Sequence, residues 1–490
     1  MIETAADDTG LTSGRRMLIL GICCMSLLIV GLDSTIVNIA LPSIQRDLHT
    51  SVAGLQWVVD AYTLVLASFL LLSGSIADRV GRRRIFQTGL VAFTLGSLLC
   101  SLAPSLGWLV AFRMLQAVGG SMLNPVAMGI ITNTFVEPRA RARAIGIWGG
   151  VIGISLALGP IVGGALVQTV GWPGIFWVNI PIGVAAIILT VLFVPESRAP
   201  RARSYDPVGQ VLVILTLASL TYGIIEGPAS GWTSPKILGC FVVTAAALVA
   251  LIRYEPRRAD PLIDLRFFRS APFSGATVIA VCAFAALGGL LLLSTLYLQN
   301  VRGYSALHAG LFILPMAALT MIGAPASGRI VAARGPRLPL AVAGVAIIAS
   351  GLMLTRLTAT TSVGWLIGAF VLFGIGFGAV NAPITNTAVS GMPREQAGVA
   401  AAIASTSRQV GLSLGVAVIG SAAVSALAGS FRAGFPAASH AGWWIVTGCG
   451  AAILLLGLLT SGRWARGTAQ RTADRLLPAA PAPPVPARLP

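Results

Sequence analysis

Asp33 stands alone as a carboxylate inside an apolar run, Met17 to Leu41 (MLILGICCMSLLIVGLDSTIVNIAL), that Pro42 closes. At about 1.5 Å per residue the run is long enough to cross the ~30 Å hydrocarbon core of a bilayer as a helix. An ionised acid there costs roughly 2.5–3.5 kcal/mol on the mild insertion scale, so it must face protein or water, on an ion or substrate path. Two more charged residues lie at matching depth. Asp60 follows Ala53 by seven residues and Arg113 follows Gly107 by six, while Asp33 precedes Leu41 by eight. Each is then roughly 9–12 Å inside the outer end of its helix. Two acids and a guanidinium at one level predict a buried charge cluster. Burial favours the protonated acid and a neighbouring arginine favours the ionised one, so movement relative to Arg113 would switch a carboxylate between taking and releasing a proton.

Other polar residues in the runs are weaker candidates. Asn38, Tyr62, Asn124, Asn381 and Asn386 are of a type to contact a cargo in a polar cavity. Arg408 falls near the middle of a late run with no acid in the neighbouring runs to pair with it, and Glu226 sits beside Gly227-Pro228 where a solvated helix end is expected. His49, His308 and His440 fall in connections and receive no role. The six cysteines lie inside apolar runs without metal-ligand or disulfide spacing, and read as small packing residues.

The elements that must hold these side chains are membrane helices. The chain is 56% hydrophobic and 10% charged, with a mean hydropathy of +0.86. Run length and breakers give fourteen spans: 17–41, 53–76, 86–103, 107–132, 143–168, 174–195, 208–226, 235–254, 274–298, 307–332, 338–357, 364–388, 398–425 and 441–461. Odd-numbered connections hold only Arg46, Lys236, Arg302, Arg356 and Arg432, whereas the termini and even-numbered connections hold nearly all the other cations. The positive-inside rule then puts both termini in the cytoplasm. That placement explains the net charge of +17 without a nucleic-acid partner. Trp57, Trp108, Trp172, Trp177, Trp232, Trp365, Trp443 and Trp444 fall at the outer ends of spans, where an interfacial belt is expected. The first run is too long for a cleaved signal and stays as a span. In the cytoplasmic stretch 255–270, Leu262, Leu265 and Phe268 form an apolar face expected to lie inward. The proline- and alanine-rich tail reads as disordered.

Several motifs sit on this frame. GSIADRVGRRR follows the second span, with Gly74, Asp78, Arg79, Gly81 and Arg82. Gly74 would admit a neighbouring helix and Asp78 would cap the N-terminus of a facing one. A weaker copy, Gly328-Arg329 and then Arg334-Gly335-Pro336-Arg337, follows the tenth span and suggests an internal repeat. In the fifth span, Gly159 and Gly163 form a small-xxx-small pair beside Pro160 and Gly164, a helix suited to close contact and to sealing one half of the molecule against the other.

Together these residues resemble the major facilitator superfamily. The loop GSIADRVGRRR is similar to its loop motif, and Leu32 through Pro42 (LDSTIVNIALP) resembles the first-span motif of its fourteen-span drug:proton antiporters, the EmrB and QacA type. Arg113-Met114-Leu115-Gln116 with Gly119-Gly120 resembles the buried-arginine motif, departing from it at Ala117. Gly153, Gly159-Pro160 and Gly163-Gly164 resemble the antiporter motif, and the likeness continues through Phe176 to Pro181, Tyr297 to Gln299 and Arg408 to Gly411.

The resemblance implies an all-α polytopic fold of two six-helix bundles, 17–195 and 271–461, around a linker region 196–270 with two extra helices (208–226 and 235–254). A cytoplasmic N-terminus, 1–16, and a disordered cytoplasmic tail, 462–490, would flank them. It implies an inner-membrane antiporter that exports hydrophobic and cationic small molecules in exchange for protons by alternating access, with Asp33, Asp60 and Arg113 in coupling and the loop and fifth-span motifs in gating. No cofactor beyond the proton gradient is implied, and the partners are the lipid bilayer, the cargo and protons. No motif specifies a periplasmic adaptor or an oligomeric state. A second reading keeps the fold and narrows the cargo to one antibiotic or metabolite. An uptake symporter fits the Gly159-Pro160 pattern less well. A membrane enzyme, sensor or lipid-moving scaffold lacks support, since neither a nucleotide-binding loop nor metal-ligand spacing is present.

Overall fold

A computed structural model describes residues 12–198, 206–258, 261–390, 392, 394–427 and 430–476. The expectations for residues 1–11, for 199–205 and 259–260 of the two linker stretches, and for the tail from 477 onward lie outside the described residues. The fourteen apolar runs appear as fourteen helices of membrane-crossing length. The first half comprises α1 (Ser13–Asp47), α2 (Val52–Val80), α3 (Arg82–Ser101), α4 (Leu106–Thr134), α5 (Pro138–Val170) and a sixth span made of α6 (Gly174–Trp177) and α7 (Asn179–Phe193). Two further helices follow, α8 (Pro207–Ser230) and α9 (Pro235–Tyr254). The second half comprises α10 (Ala271–Leu296), α11 (Ala306–Arg334), α12 (Arg337–Leu354), α13 (Val363–Val389), α14 (Arg394–Ser425) and α15 (Phe431–Thr460), and α16 (Arg463–Leu476) closes the described chain.

Local chemistry sets the helix ends. Ser51, Asp206, Ser234, Ser305 and Ser362 each accept a hydrogen bond from a backbone N–H in the first turn of the helix they precede. Glycine closes α2 and α11, at Gly81 (φ +129°) and Gly335 (φ +81°), backbone conformations that a Cβ resists. The two glycines occupy equivalent places in the two copies of the loop motif, which locates the internal repeat in the backbone.

Within each half the helices pack on one another, α1 on α5 and α7, α3 on α4, α10 on α14 and α15, and α11 on α13. The halves meet through α5 against α11 and α2 against α14. The inserted α8 docks on α2 at both ends: Gln210 donates to the Ser68 carbonyl (2.7 Å) and the Trp57 indole donates to Glu226 (2.9 Å). Glu226 is therefore a tertiary partner and not a bare helix end, and Trp57 belongs to this joint instead of the lipid interface. Trp172 and Trp443 are buried, while Trp108, Trp177, Trp232, Trp365 and Trp444 are exposed as a belt requires.

Two further expectations change. In the stretch before α10 the inward aromatic is Phe267, edge-on to Phe273 (5.5 Å), and Phe268 is exposed. The tight 3-10 turn over Leu265–Arg269 rotates the pattern by one residue. The start of the tail is helical: α16 buries Ala465, Ala469 and Thr472, and Thr468 accepts from the first N–H of α10 (2.9 Å).

One face of the molecule gathers the N-terminus of α1, the α2–α3 turn and the end of α7. Arg15 donates to the Phe193 carbonyl (3.3 Å) and the Arg82 N–H to the Ser197 carbonyl (2.9 Å). We call this arginine-rich side the basic face. The apolar interior falls into two clusters divided across the first bundle. The part of that bundle toward the basic face (Ile19 to Val30, Leu66, Phe86 to Phe93, Ala117 to Ile131) packs by itself. The part away from it (Leu32 to Ile44, Leu55 to Val59, Trp172 to Phe176) shares one continuous core with the second bundle. Direct hydrogen bonds between the bundles follow the same division: Gln56 to the Val416 and Ala417 carbonyls, Gln299 to the Ile39 carbonyl and Asn300 to Gln45. The bundles are joined away from the basic face and apart toward it.

Candidate functional site

At the division between the two apolar clusters lies a closed polar assembly. The Asp33 carboxylate, fully buried, pairs with Arg113 Nη1 at 2.5 Å. Its other oxygen accepts from Gln116 Nε2 (2.8 Å) and Asn179 Nδ2 (3.2 Å). Arg113 Nε donates to the Val58 carbonyl (3.2 Å), Nη1 also reaches Gln116 Oε1 (2.8 Å), and the guanidinium lies 4.1 Å over the Tyr62 ring. Ser97 completes the set, accepting from Gln116 and Asn179 and donating to the Phe176 carbonyl. Four helices supply the hydrogen-bonding side chains: α1, α3, α4 and α7. Asn179 opens α7 immediately after the break at Val178, so the interruption of the sixth span is what aims this amide inward.

Buried charges are tolerated only when paired and hydrogen-bonded, and this pair meets both conditions. Gln116 and Asn179 belong to sequence motifs of the fourth and sixth spans, and Ser97 belongs to none. A polar residue in an otherwise apolar span was the available signal for all three.

Asp60 is not part of this assembly. It is fully buried on the face of α2 that packs against α14, with Thr63 Oγ1 at 3.5 Å, Ser413 of α14 beside it and Oδ2 without a hydrogen-bond partner. Asp60 projects toward α14 and not toward the Asp33–Arg113 pair. The three-residue cluster is thus one ion pair and one separate acid between the bundles.

The polar cargo candidates separate similarly. Tyr62 is sealed beneath Arg113, and Asn38 is buried with its amide turned back to the Ser34 carbonyl (3.2 Å). Asn124 and Asn381 are half-buried, and Asn386 is exposed near the end of α13.

In the loop motif, Asp78 forms an ion pair with Arg82 one turn on (2.9 Å) instead of capping a facing helix. Arg82 also reaches the Gly129 carbonyl of α4 (3.2 Å), and Arg79 is exposed. A Cβ at Gly74 would meet Pro125 at an ordinary 3.6 Å, so the glycine is not forced by that approach. Gly81 is forced: besides its positive φ, a Cβ would come within 2.7 Å of the Glu196 carboxyl, which accepts from the N–H groups of Arg83 and Ser197 (3.0 Å each).

On α5 the glycines divide between two neighbours. Cβ atoms at Gly159 and Gly163 would collide with Thr35 and Ile36 of α1, and one at Gly164 would lie 2.6 Å from the Leu307 backbone of α11. The Pro160 carbonyl presses against Gly310 of α11. This helix is held to its own bundle along one edge and to the other bundle along the adjacent edge, about 100° around its axis. Among the described residues no group of three or more His, Cys, Asp or Glu is placed to hold a metal ion, and all six cysteines are free.

Residues 23–416 match the Major Facilitator Superfamily. The chain is 40% identical over 398 residues to the tetracenomycin C resistance and export protein of Streptomyces glaucescens, spanning 81% of this chain and 74% of that one. It is 38% identical over 397 residues to the multidrug resistance protein Stp of Mycobacterium tuberculosis (81% and 74%). It is 35% identical over 396 residues to a methylenomycin A resistance protein of Streptomyces coelicolor (79% and 82%). Among solved structures, a bacterial homolog of the human lysosomal transporter Spinster, inward-facing and unoccupied, superposes with a TM-score of 0.62 at 18% identity, covering 95% of this chain and 99% of that one.

Proposed function

The chain belongs to the major facilitator superfamily, and from that premise we propose that it is a proton-coupled antiporter exporting hydrophobic and cationic small molecules by alternating access. It works in the cytoplasmic membrane with the basic face, and so both termini, on the cytoplasmic side. The asymmetry of the arginines supports that orientation. Its relatives are resistance and export proteins, and its bundles are parted on one side only, which suits a carrier caught with its site open to the cytoplasm.

The observation that carries the coupling is Asp60. A buried carboxylate with one oxygen unpartnered and no cation in contact is stable as the neutral acid and costly as the anion. It lies where the two bundles meet, so rocking one bundle against the other changes its surroundings directly. In this reading Asp60 holds the proton while the cytoplasmic side is open and loses it when the opposite side opens. Asp33 and Arg113 hold the first bundle in one arrangement. Asp33 exchanges a proton only when the pair parts, because cargo cannot reach a fully buried carboxylate already bound by three side chains.

The test is uptake of tetraphenylphosphonium into everted membrane vesicles under imposed pH gradients of either sign. Accumulation that follows the gradient and collapses with a protonophore is expected, and Asp60→Asn should abolish the dependence, by tenfold or more, while the probe still binds. Accumulation indifferent to the gradient in the wild type would end the antiport reading. A dedicated exporter of one compound is the second reading, favoured by the similarity to the tetracenomycin C and methylenomycin A proteins. A single compound outcompeting all others in the same assay would select it.

A further inference from the structure

Arg408 is a cation that the coupling scheme leaves unused. It lies near the middle of α14, and its Nη2 donates to the Thr385 hydroxyl of α13 while Nε has no partner. Between residues 271 and 461 the sequence holds one acid, Glu395, thirteen residues earlier on the same helix and so about 20 Å away along it. The acid on the facing bundle, Asp60, is turned to Ser413 and makes no ion pair with Arg408. A guanidinium at membrane depth without a carboxylate must face the bundle interior or a water-filled cavity and marks a substrate or ion path by default. Arg408 is half-buried and Thr385 is exposed, in the half of the molecule where the bundles are apart.

What adjoins it has the form of a recognition surface. Phe377, Asn381 and Thr385 recur every four residues and so share one face of α13. Phe377 is tilted against Phe284 of α10 with ring centroids 5.1 Å apart, and Asn381 is half-buried with its amide donating to the Phe377 carbonyl (3.1 Å). Along this face the lining passes from the half-buried Phe284 ring, backed by the buried Phe377, to an amide, a hydroxyl and the half-buried guanidinium. We propose that Arg408 and Thr385 bind the acidic group of amphipathic cargo, a carboxylate or phenolate, whose apolar body lies toward Phe284. The inference rests on the exporter reading and adds weak acids to its cargo range. Arginine suits the task because its planar fork of donors matches a carboxylate and stays charged at any working pH.

The experiment is equilibrium binding to the full chain in nanodiscs, without any gradient, so that it stands or falls apart from proton coupling. The probes are 1-pyrenebutyrate, its uncharged amide and the corresponding amine, each followed by displaceable fluorescence. The wild type should bind the acid about tenfold more tightly than the amide. Arg408→Gln should erase that preference and leave the amide unchanged, and Arg408→Lys should restore part of it. If the wild type prefers neither, binds none of the three, or loses all three equally on Arg408→Gln, Arg408 serves only to tie α13 to α14 and the proposal is overturned. Thr385→Val, which removes the hydroxyl and keeps the shape, should weaken the acid alone.

Discussion

The first bundle keeps its charge in the middle, Asp33 bound by Arg113, Gln116 and Asn179, and sealed from solvent. The second bundle, built on the same repeat, has no acid in its core and carries one guanidinium against a threonine hydroxyl at its open side. The loops differ in the same sense. Gly81 is latched to Glu196, whereas a Cβ at Gly335 would meet nothing within 4 Å. One half is thus fastened around a buried ion pair, and the other by close glycine packing, Gly411 and Gly415 against the α10 backbone and Gly374 against that of α11, with single hydroxyl-to-carbonyl bonds such as Ser327 to Ala379 and Ser350 to Ala369. A charge that is matched on every side can hold a shape. One that is left unmatched is available to a ligand.

The largest effect expected from breaking this contrast comes from Arg113→Ala. It would leave Asp33 as an uncompensated buried anion, a change worth about 3–5 kcal/mol. Yield from membranes and thermal stability in detergent should both fall sharply. Asp33→Asn combined with Arg113→Gln should be more stable than Arg113→Ala, since the pair is removed together and its amide replacements can still hydrogen-bond. Equal losses in the two would mean that the assembly stabilises the fold through shape and not through charge.

The second expectation separates stability from conformation on α5. Gly159→Ala places a methyl 2.0 Å from Thr35 Oγ1 within one bundle and should cost about 1–3 kcal/mol by overpacking. Gly164→Ala acts across the junction with α11, 2.6 Å from the Leu307 backbone. The bundles can yield there by parting, so it should shift the molecule toward opening away from the basic face with a smaller loss of stability. Thiol labelling of a cysteine introduced at Gln299, in a cysteine-free background, reads this out. Labelling should rise in Gly164→Ala and stay at the starting level in Gly159→Ala.

The sequence made the spans, their alternation and the repeat legible because each is written in run length, breakers and charge placement, properties local to a stretch of chain. Counting rise per residue also made the Asp33–Arg113 meeting legible, since rise is nearly constant in a helix. Direction around the helix axis was not, because nearly every side of these helices is apolar and no polar stripe marks the inner face. Depth alone therefore groups Asp60 with a pair it does not touch, and residue type alone offers Tyr62 as a cargo contact although Arg113 covers it. Trp172 and Trp443 went astray likewise: position along the chain gave the interface, but not whether the ring pointed to lipid or to a neighbour. Glu226 and Asp78 were misread for a different reason. Their partners, Trp57 and Arg82, depend on how a helix from elsewhere or a turn just beyond is seated.

The smallest expected effect lies at the α2–α3 turn. The Glu196 carboxylate accepts from the N–H groups of Arg83 and Ser197 and approaches Arg84 at 3.8 Å, and its side chain retains 31% exposure. A partly solvated carboxylate at such a position contributes only about 0–1 kcal/mol. Glu196→Gln keeps an acceptor oxygen and the side-chain shape and removes only the charge, so stability should change by less than about 1 kcal/mol. Glu196→Ala removes the acceptor as well, leaving the Arg82 N–H to Ser197 carbonyl bond as the backbone tie between the turn and the stretch after α7, and should raise amide hydrogen exchange at Arg83 and Ser197. The equivalent turn at Gly335, which has no such latch, should show fast exchange in the wild type already. Similar protection of the two turns before mutation would mean that the Glu196 contact does not distinguish the halves, and the contrast would then rest on the buried pair alone.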